Sequence, residues 1–248
     1  MIDIQEVERD IEFIIWSFKL TEINRYVKQR FWEKETLENE YASRIFGFSQ
    51  DGKMSPRAES VADHSWHIAD MTILIAPRFP ILKLDKCLLL AILHDKLEII
   101  TGDKSPIGKN GKGTNSHAFN IDKKELKERQ ELYAFDMYMR KLNAESMEIQ
   151  KDVILDAIKL NSEESRFIKA IDRLQPIVYI LKKKDGEMSD DHLLFTLKYT
   201  STFENYFPAL RPYYEGLINR LLISVAVKRN SDVEDLRKKF NLEQLRLF

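Results

Sequence analysis

The sequence predicts an all-α protein. Glycine and proline interrupt helices, and they account for only 8 and 7 of the 248 residues. Leucine, lysine and glutamate, which favour helices, are frequent. Apolar residues also recur at helical spacing along most of the chain. The length allows one or two domains, but no convincing linker divides residues 1–248, so we expect a single helical domain.

Composition and charge exclude several functional classes. The chain is 44% apolar and 32% charged, as in soluble globular proteins. Its net charge of −1 provides no basic field for nucleic acid, so we expect a small-molecule partner. Cys87 is the only cysteine, which excludes a cysteine-based zinc site and fits a reducing cytoplasm. No apolar run approaches the roughly 18 residues of a membrane span. We therefore expect a cytoplasmic protein with no membrane partner.

The first predicted helix covers residues 3–19, and its repeat runs on through Ile23 and Tyr26. It is expected to pack through regularly spaced apolar residues, namely Ile4, Val7, Ile11, Ile14 and Ile15. Residues 27–56 mix aromatic and charged residues without clear periodicity. We expect this stretch to be a partly helical excursion that covers another part of the protein.

A second strong helix is predicted from Ala58 to Ala76, closing before Pro77. It carries His64 and His67 three residues apart. His64 is the candidate ligand on this helix. His67 could be a second ligand, but a core or supporting role is the favoured interpretation.

The strongest site signal lies in residues 84–103, LDKCLLLAILHDKLEIITGD. Asp85 is the expected N-cap. The apolar repeat of a buried helix follows, formed by Leu88, Leu89, Ile92 and Leu93. His94 and Asp95 end this apolar helix, and Glu98 falls on their face one turn further on. Unpaired buried polar groups cost roughly 2–7 kcal/mol, so a divalent cation would stabilise such a pair. For the His-Asp dipeptide alone, a local hydrogen bond is the favoured interpretation.

The loop at residues 101–121 holds four of the eight glycines and is expected to be flexible. The next predicted helix covers residues 122–142 and is opened by a capping box from Asp122 to Glu125. Further helices are predicted over residues 145–160, 190–204 and 208–228. A last helix is opened by a capping box from Ser231 to Glu234. Ser162 is expected to cap a further helix. Its apolar face also contains Asp172, and an acid on a core face needs a partner.

Four candidate ligands come from three predicted helices: His64, His94, Asp95 and Asp172. Two imidazoles and two carboxylates suit one divalent transition metal with positions open for water. Zinc, manganese, iron, cobalt and nickel are all compatible with this donor set.

Three segments in this order, RAESVADHSWHIADM, LLLAILHDKLEIITGD and SEESRFIKAIDRLQ, resemble the HD-domain metal-dependent phosphohydrolases. Within that superfamily they are most similar to the 5'-deoxynucleotidases of the YfbR type. The resemblance implies an HD-domain helical bundle with its core at about residues 23–182 and a C-terminal helical extension at residues 186–248. It also implies hydrolysis of nucleoside 5'-monophosphates, with 2'-deoxyribonucleotides preferred. A homodimer is compatible with it.

The resemblance also assigns roles to particular residues. It implies that His64, His94, Asp95 and Asp172 bind the metal. Glu98 and Asp103 correspond to catalytic acids of the family, and Asp103 would accept a hydrogen bond from the sugar hydroxyl. Arg25 corresponds to a phosphate-binding arginine, and Arg57 is a second candidate for that role. Tyr26 stands where the family has a tryptophan and would crowd a 2'-hydroxyl.

Alternative interpretations remain open. The chain could be a non-catalytic nucleotide-binding HD protein, an HD hydrolase or phosphodiesterase acting on another phosphorylated small molecule, or a structural helical protein. His117 is the only histidine between Asp95 and Asp172, and a two-metal site would need additional histidines in this interval. A two-metal site is therefore disfavoured. His117 is expected to be a solvated loop residue and His192 a structural one. The loop lysines are expected to be solvated as well, namely Lys104, Lys109 and Lys112.

Overall fold

The computed structural model describes residues 4–25, 59–108, 111–184 and 186–242. Within those ranges the regular structure is helical, apart from one isolated bridge between Asn24 and Ser60, so the predicted all-α class is confirmed. The α-helices are α1 (Ile4–Ser17), α2 (Val61–Ile75), α3 (Leu84–Leu93), α4 (Glu98–Thr101), α5 (Ile121–Met139), α6 (Ala144–Lys159), α7 (Glu163–Lys184), α8 (Asp190–Thr200), α9 (Arg211–Arg229) and α10 (Val233–Lys239).

Three predictions fall outside the described residues. They concern Tyr26, Arg57 and the excursion at residues 27–56. Lys109 is outside them too. The division into an HD core and a C-terminal extension also stays a prediction.

The predicted packing face of α1 is wrong. Its aliphatic residues are exposed, with Ile14 at 65% and Ile15 at 70%. Phe13 and Trp16, on the opposite side of the helix, pack against Tyr138 with ring centroids 5.8 and 6.0 Å away. These aromatic rings bury more apolar area than the aliphatic side chains would, so they decide which side faces the core. The helix also ends at Ser17 and is followed by a 3-10 turn instead of continuing towards residue 26.

The N-terminus of α3 differs from the prediction. The N-cap is Lys83, not Asp85, and its own side chain makes no capping bond. The Lys83 amide instead donates to Glu164 Oε1 on α7 at 3.2 Å, so a neighbouring helix supplies the cap. The buried face is displaced as well, because Leu89 and Ile92 are exposed. The residues that α3 buries are Cys87, Leu90, Ala91 and Leu93, which face α2, α6 and α7.

Two predicted capping boxes are also displaced. Asn120 caps α5 in place of Asp122, and Asp232 caps α10 in place of Ser231. The predicted helix over residues 145–160 is confirmed as α6. In each displaced case a short polar side chain just upstream reaches the free amides of the first turn.

The largest core cluster is built around α7. The predicted cap is confirmed, because Ser162 Oγ accepts from the Ser165 amide at 3.1 Å. The predicted apolar face is buried, comprising Phe167, Ile168, Ile171 and Leu174. Helices α2, α3, α8, α9 and α10 contribute to the same cluster. Pro176 lies inside α7, so this helix lacks the amide that would bond to the carbonyl of Asp172.

The helices in the described part of the chain are too short or too polar to cross a membrane.

Candidate metal and substrate site

The structure brings the four predicted ligands together from α2, the end of α3 and α7. His64 Nε2 lies 3.3 Å from His94 Nε2, 3.3 Å from Asp172 Oδ1 and 3.6 Å from Asp95 Oδ2. Asp95 Oδ2 is also 3.3 Å from His94 Nε2. Ligand atoms of His64, His94 and Asp172 all lie within 4.8 Å of one another, which is close enough for one ion to contact all three.

A turn at the end of α3 directs His94 and Asp95 into this cluster. The helix ends at Leu93, and the Glu98 amide donates to the Asp95 carbonyl at 3.0 Å before α4 begins. Glu98 therefore reaches the site from a separate short helix, not from one further turn of the central helix. His94 Nδ1 lies 2.9 Å from the Ala91 carbonyl. A hydrogen on Nδ1 satisfies that carbonyl and leaves Nε2 with a lone pair aimed at the cluster.

The electrostatics of the cluster favour a positive charge at its centre. Burial lowers the pKa of His64 to about 4, so its imidazole is neutral at pH 7. Burial would lower the pKa of His94 too, but the adjacent Asp95 raises it above the ordinary value. Burial would raise the pKa of Asp172, yet Lys169, the hydrogen bond with His64 and Arg173 hold it well below the usual range. Neutral imidazole beside ionised carboxylate is the donor set of a divalent metal.

Arg25 lies beside the cluster and is already paired with two acids. Its backbone amide donates to the Glu59 carbonyl at 2.7 Å, which holds it next to the start of α2. Its Nη1 lies 3.0 Å from Asp95 Oδ2, and its Nε lies 3.3 Å from Glu59 Oε2. The side chain is buried but lines a cavity above the cluster. The phosphate-binding role of Arg25 stays a prediction.

Glu59 is a site residue that the sequence reasoning missed. Burial raises its pKa to about 7, although Arg25 and a hydrogen bond from Gln175 oppose that shift. The Gln175 amide donates to Glu59 Oε1 at 2.5 Å and also lies 3.2 Å from His67 Nδ1. His67 therefore contacts the residue that bonds to Glu59, and its supporting role stays a prediction. The available signal was an acid just before the capping serine of the helix that carries His64.

The cavity above the cluster is lined by acids and cations. Glu98 and Asp103 both line it, and Glu98 is itself buried. Burial first, and then Asp95 and Asp103, raise the pKa of Glu98 well above the ordinary value. The cations that line the cavity are Arg25, Lys104, Lys124, Lys127, Lys169 and Arg173.

Lys127 of α5 is a second residue that sequence reasoning missed. Its Nζ lies 3.2 Å from Glu131 Oε1, and its side chain is 24% exposed. Burial would lower its pKa, but Glu131, Glu98 and Asp95 raise it. Lys127 therefore carries a full positive charge near the acids of the site. A lysine among many on a charged helix offers no sequence signal that separates it from solvated ones.

Loop residues divide between the cavity and solvent. The prediction that His117 is solvated is wrong, because it lines the cavity and burial lowers its pKa to about 3. His192 is buried at the start of α8 and also lines the cavity. Lys104 lines the cavity, whereas Lys112 is exposed beside Asp191.

Comparisons with known proteins agree with this arrangement. A family model described as HD domain matches residues 47–210. The chain is 28% identical over 138 residues to the 5'-deoxynucleotidase hdd1 of Schizosaccharomyces pombe, a match covering 53% of this chain and 63% of that protein. It is 30% identical over 139 residues to the 5'-deoxynucleotidase HDDC2 of Mus musculus, covering 54% of this chain and 63% of that protein. The matched region is thus less than two thirds of each relative.

A solved structure supports the fold independently. The crystal structure of a predicted metal-dependent phosphohydrolase from Magnetospirillum magnetotacticum MS-1 superimposes with a TM-score of 0.61 at 21% sequence identity. The superposition covers 90% of this chain and 97% of that one. Together with the HD-domain match over most of the chain, the paired histidines and the His-Asp doublet at the cavity floor place this protein in the HD-domain family.

Proposed function

We propose that this protein is a metal-dependent phosphomonoesterase that hydrolyses nucleoside 5'-monophosphates, with 2'-deoxyribonucleotides preferred. The observation that carries the proposal is the convergence of His64, His94, Asp95 and Asp172 beside a cavity. The last three of these residues line it, and its walls also hold a buried acid and several cations. The 5'-deoxynucleotidase names of the relatives support the substrate class.

The residues fit one divalent transition metal. His64, His94, Asp95 and Asp172 would hold it, with Co, Mn, Zn, Fe and Ni all suited to the donor set. When bound, such an ion polarises a phosphoryl oxygen and lowers the pKa of a water. The Nε2 atoms of the two histidines lie 3.3 Å apart, with Asp172 Oδ1 3.3 Å from His64 Nε2 and Asp95 Oδ2 3.3 Å from His94 Nε2, and this arrangement is the structural observation that favours an ion there.

Glu98 would handle the proton of the attacking water. It is buried next to Asp95 and faces the cavity, close to where the reacting phosphate would lie. As the water oxygen bonds to phosphorus, Glu98 accepts a proton from the water, the bond from phosphorus to the 5'-oxygen breaks, and Glu98 passes that proton to the 5'-oxygen. The products are a nucleoside and inorganic phosphate.

The cavity cations would neutralise the phosphate. Arg25 is expected to act there from its position beside Asp95, and Lys127 of α5 lines the same cavity. Asp103 would accept a hydrogen bond from the 3'-hydroxyl, and its charge would disfavour a 3'-phosphate. Tyr26 and Arg57 keep the sugar and phosphate roles that the family resemblance implies for them.

A hydrolysis screen tests the proposal. Chelator-stripped protein is reloaded with Co²⁺, Mn²⁺, Zn²⁺, Fe²⁺ or Ni²⁺ and offered deoxyribonucleoside and ribonucleoside 5'-monophosphates, 3'-monophosphates and a phosphodiester. We expect metal-dependent phosphate release from the 5'-monophosphates, abolished in Asp172→Ala. Turnover of the diester alone would point to a phosphodiesterase. Tight nucleotide binding without turnover under any metal would point to a non-catalytic nucleotide-binding protein.

A further inference from the structure

The second carboxylate oxygen of Asp172 is held by two cations of α7. Asp172 Oδ1 faces His64 Nε2 at 3.3 Å, while Oδ2 lies 3.1 Å from Lys169 Nζ and 3.1 Å from Arg173 Nη1. Both contacts fall on the oxygen that points away from the histidines. A carboxylate gripped in this way presents one defined oxygen to the ligand cluster.

Arg173 is itself fixed by aromatic residues that lie beyond the metal-type cluster. Its Nη1 donates to the hydroxyl oxygen of Tyr199 on α8 at 2.5 Å. Its guanidinium lies 4.3 Å from the ring centroid of Tyr199 and 5.9 Å from that of Tyr206. Tyr199 in turn stacks on Phe195, with ring centroids 5.4 Å apart and planes inclined by 14°. Arg173 is thus held on its far side by a packed aromatic group.

We propose that Arg173 is a positioning residue for the metal ligand Asp172, and that α8 contributes to the site by fixing Arg173 through Tyr199. This inference rests on the metal site in the function proposed above. It also gives α8, which follows residue 186, a role at the site.

The chemistry of arginine suits this role better than that of lysine. The planar guanidinium offers several N–H donors in a fixed arrangement, so Arg173 contacts a carboxylate and a phenol oxygen while lying over an aromatic ring. Lys169 contacts the same carboxylate oxygen, but its side chain is 27% exposed against 11% for Arg173. Arg173 is therefore the more constrained of the two partners.

Metal titration of the stripped protein tests the inference without any nucleotide. The Kd for Co²⁺ is measured by calorimetry, and the visible absorption of bound Co²⁺ reports ligand geometry. We expect Arg173→Met to weaken Co²⁺ binding by about 10–100-fold, the usual effect of removing a partner of a metal ligand, and to change the absorption bands. Arg173→Lys should lose less, because it keeps the charge. Tyr199→Phe should lose least, because it keeps the ring and removes only the hydroxyl.

Arg166→Met is the matched control, because Arg166 lies on the same helix and pairs with Glu163 away from the cluster. It should leave the Kd and the spectrum unchanged. If Arg173→Met does not fold in its metal-stripped form, the Co²⁺ titrations of Arg173→Lys and Tyr199→Phe test the inference instead. Wild-type Kd and spectra in these variants would overturn the inference and leave the proposed function standing. If the variants weaken Co²⁺ binding as expected but the wild type hydrolyses no nucleotide, the proposed function alone would be overturned. A wild type that binds no Co²⁺ would overturn both the function and the inference.

Discussion

The Nε2 atoms of His64 and His94 face each other at 3.3 Å in a cluster that also contains the carboxylates of Asp95 and Asp172. The His94 ring is fixed from behind by the Ala91 carbonyl, which lies 2.9 Å from Nδ1. Asp95 raises the pKa of His94, so in the absence of a metal the two Nε2 atoms can share a proton, and a bound cation would take the place of that proton. This relationship leads to the first prediction.

We expect the wild type to bind about one transition metal ion per chain, and Asp172→Ala and His94→Ala to lose it. Bound metal stabilises the fold by about 2.7 kcal/mol at a free concentration of 100 Kd. Added metal should therefore raise the Tm of the wild type but not that of Asp172→Ala or His94→Ala. Elemental analysis and thermal unfolding provide the two measurements. Asp70→Ala, an exposed acid on the same helix outside the cluster, is the control and should retain the ion. Full occupancy in both ligand variants would exclude the assigned site.

Glu98→Gln should keep the metal and lose turnover. The amide has the shape of the carboxyl group but cannot accept a proton, and loss of a general acid or base reduces rates by roughly 10²–10⁴-fold. The measurement is kcat at saturating substrate alongside metal content. A variant with normal metal content and normal kcat would remove Glu98 from the chemistry.

Lys127→Met should weaken the binding of phosphate-bearing ligands. Lys127 lines the cavity, and its positive charge is reinforced by Glu131, Glu98 and Asp95. We expect a higher KM for nucleotide and a higher inhibition constant for inorganic phosphate. Lys123→Met, one turn earlier on α5 and exposed, is the matched control. Equal constants for the two variants would show that Lys127 does not contact the phosphate.

Sugar selection should depend on Asp103, which lines the cavity five residues after Glu98. We expect the wild type to prefer dAMP over AMP and to reject 3'-AMP. Asp103→Asn should reduce kcat/KM for dAMP and narrow the discrimination against 3'-AMP, because charge repulsion is removed. The three values of kcat/KM are compared in both proteins. A wild type that prefers AMP would contradict the sugar-selection argument while leaving the hydrolase intact.

Glu59 should make the stability of the metal-stripped protein depend on pH. Burial raises its pKa from 4.5 to about 7, so the folded state favours the protonated carboxyl. The contribution of this carboxyl to folding stability is fully present below pH 4.5 and is lost as pH rises towards 7. A shift of this size corresponds to about 3 kcal/mol. Glu59→Gln keeps an acceptor for Gln175 and cannot ionise. Urea unfolding from pH 4.5 to 8 should show the variant gaining stability relative to wild type as pH rises, and a constant difference would contradict the shift.

The sequence was informative where residue type and order carry the signal. The helical class followed from the scarcity of glycine and proline, and the order of His64, the His-Asp doublet and Asp172 indicated residues that the structure brings together. Ser162 was identified as a cap because a short polar side chain before an apolar repeat has few other structural roles. These features depend on local chemistry that is present in the chain itself.

The features that the sequence did not predict depend on contacts between distant segments of the chain. Glu164 of α7 caps α3, so no residue near Asp85 could have revealed that cap. The exposed side of α1 was misjudged because periodicity identifies an apolar face but not the neighbour it meets. Lys127 and Arg173 look like ordinary surface cations in the sequence, and only tertiary packing places them in the cavity wall.

Pro176 removes a backbone hydrogen bond from the interior of α7. The hydrogen bond that its missing amide would form closes onto the carbonyl of Asp172. Proline costs about 3 kcal/mol in the interior of a helix relative to alanine, and here that loss falls on the turn that carries a candidate metal ligand. The longest helix of the described chain is therefore least self-supporting at the position where the site needs a defined carboxylate. Substitutions that strengthen α7 at this turn are therefore expected to disturb the ligand cluster.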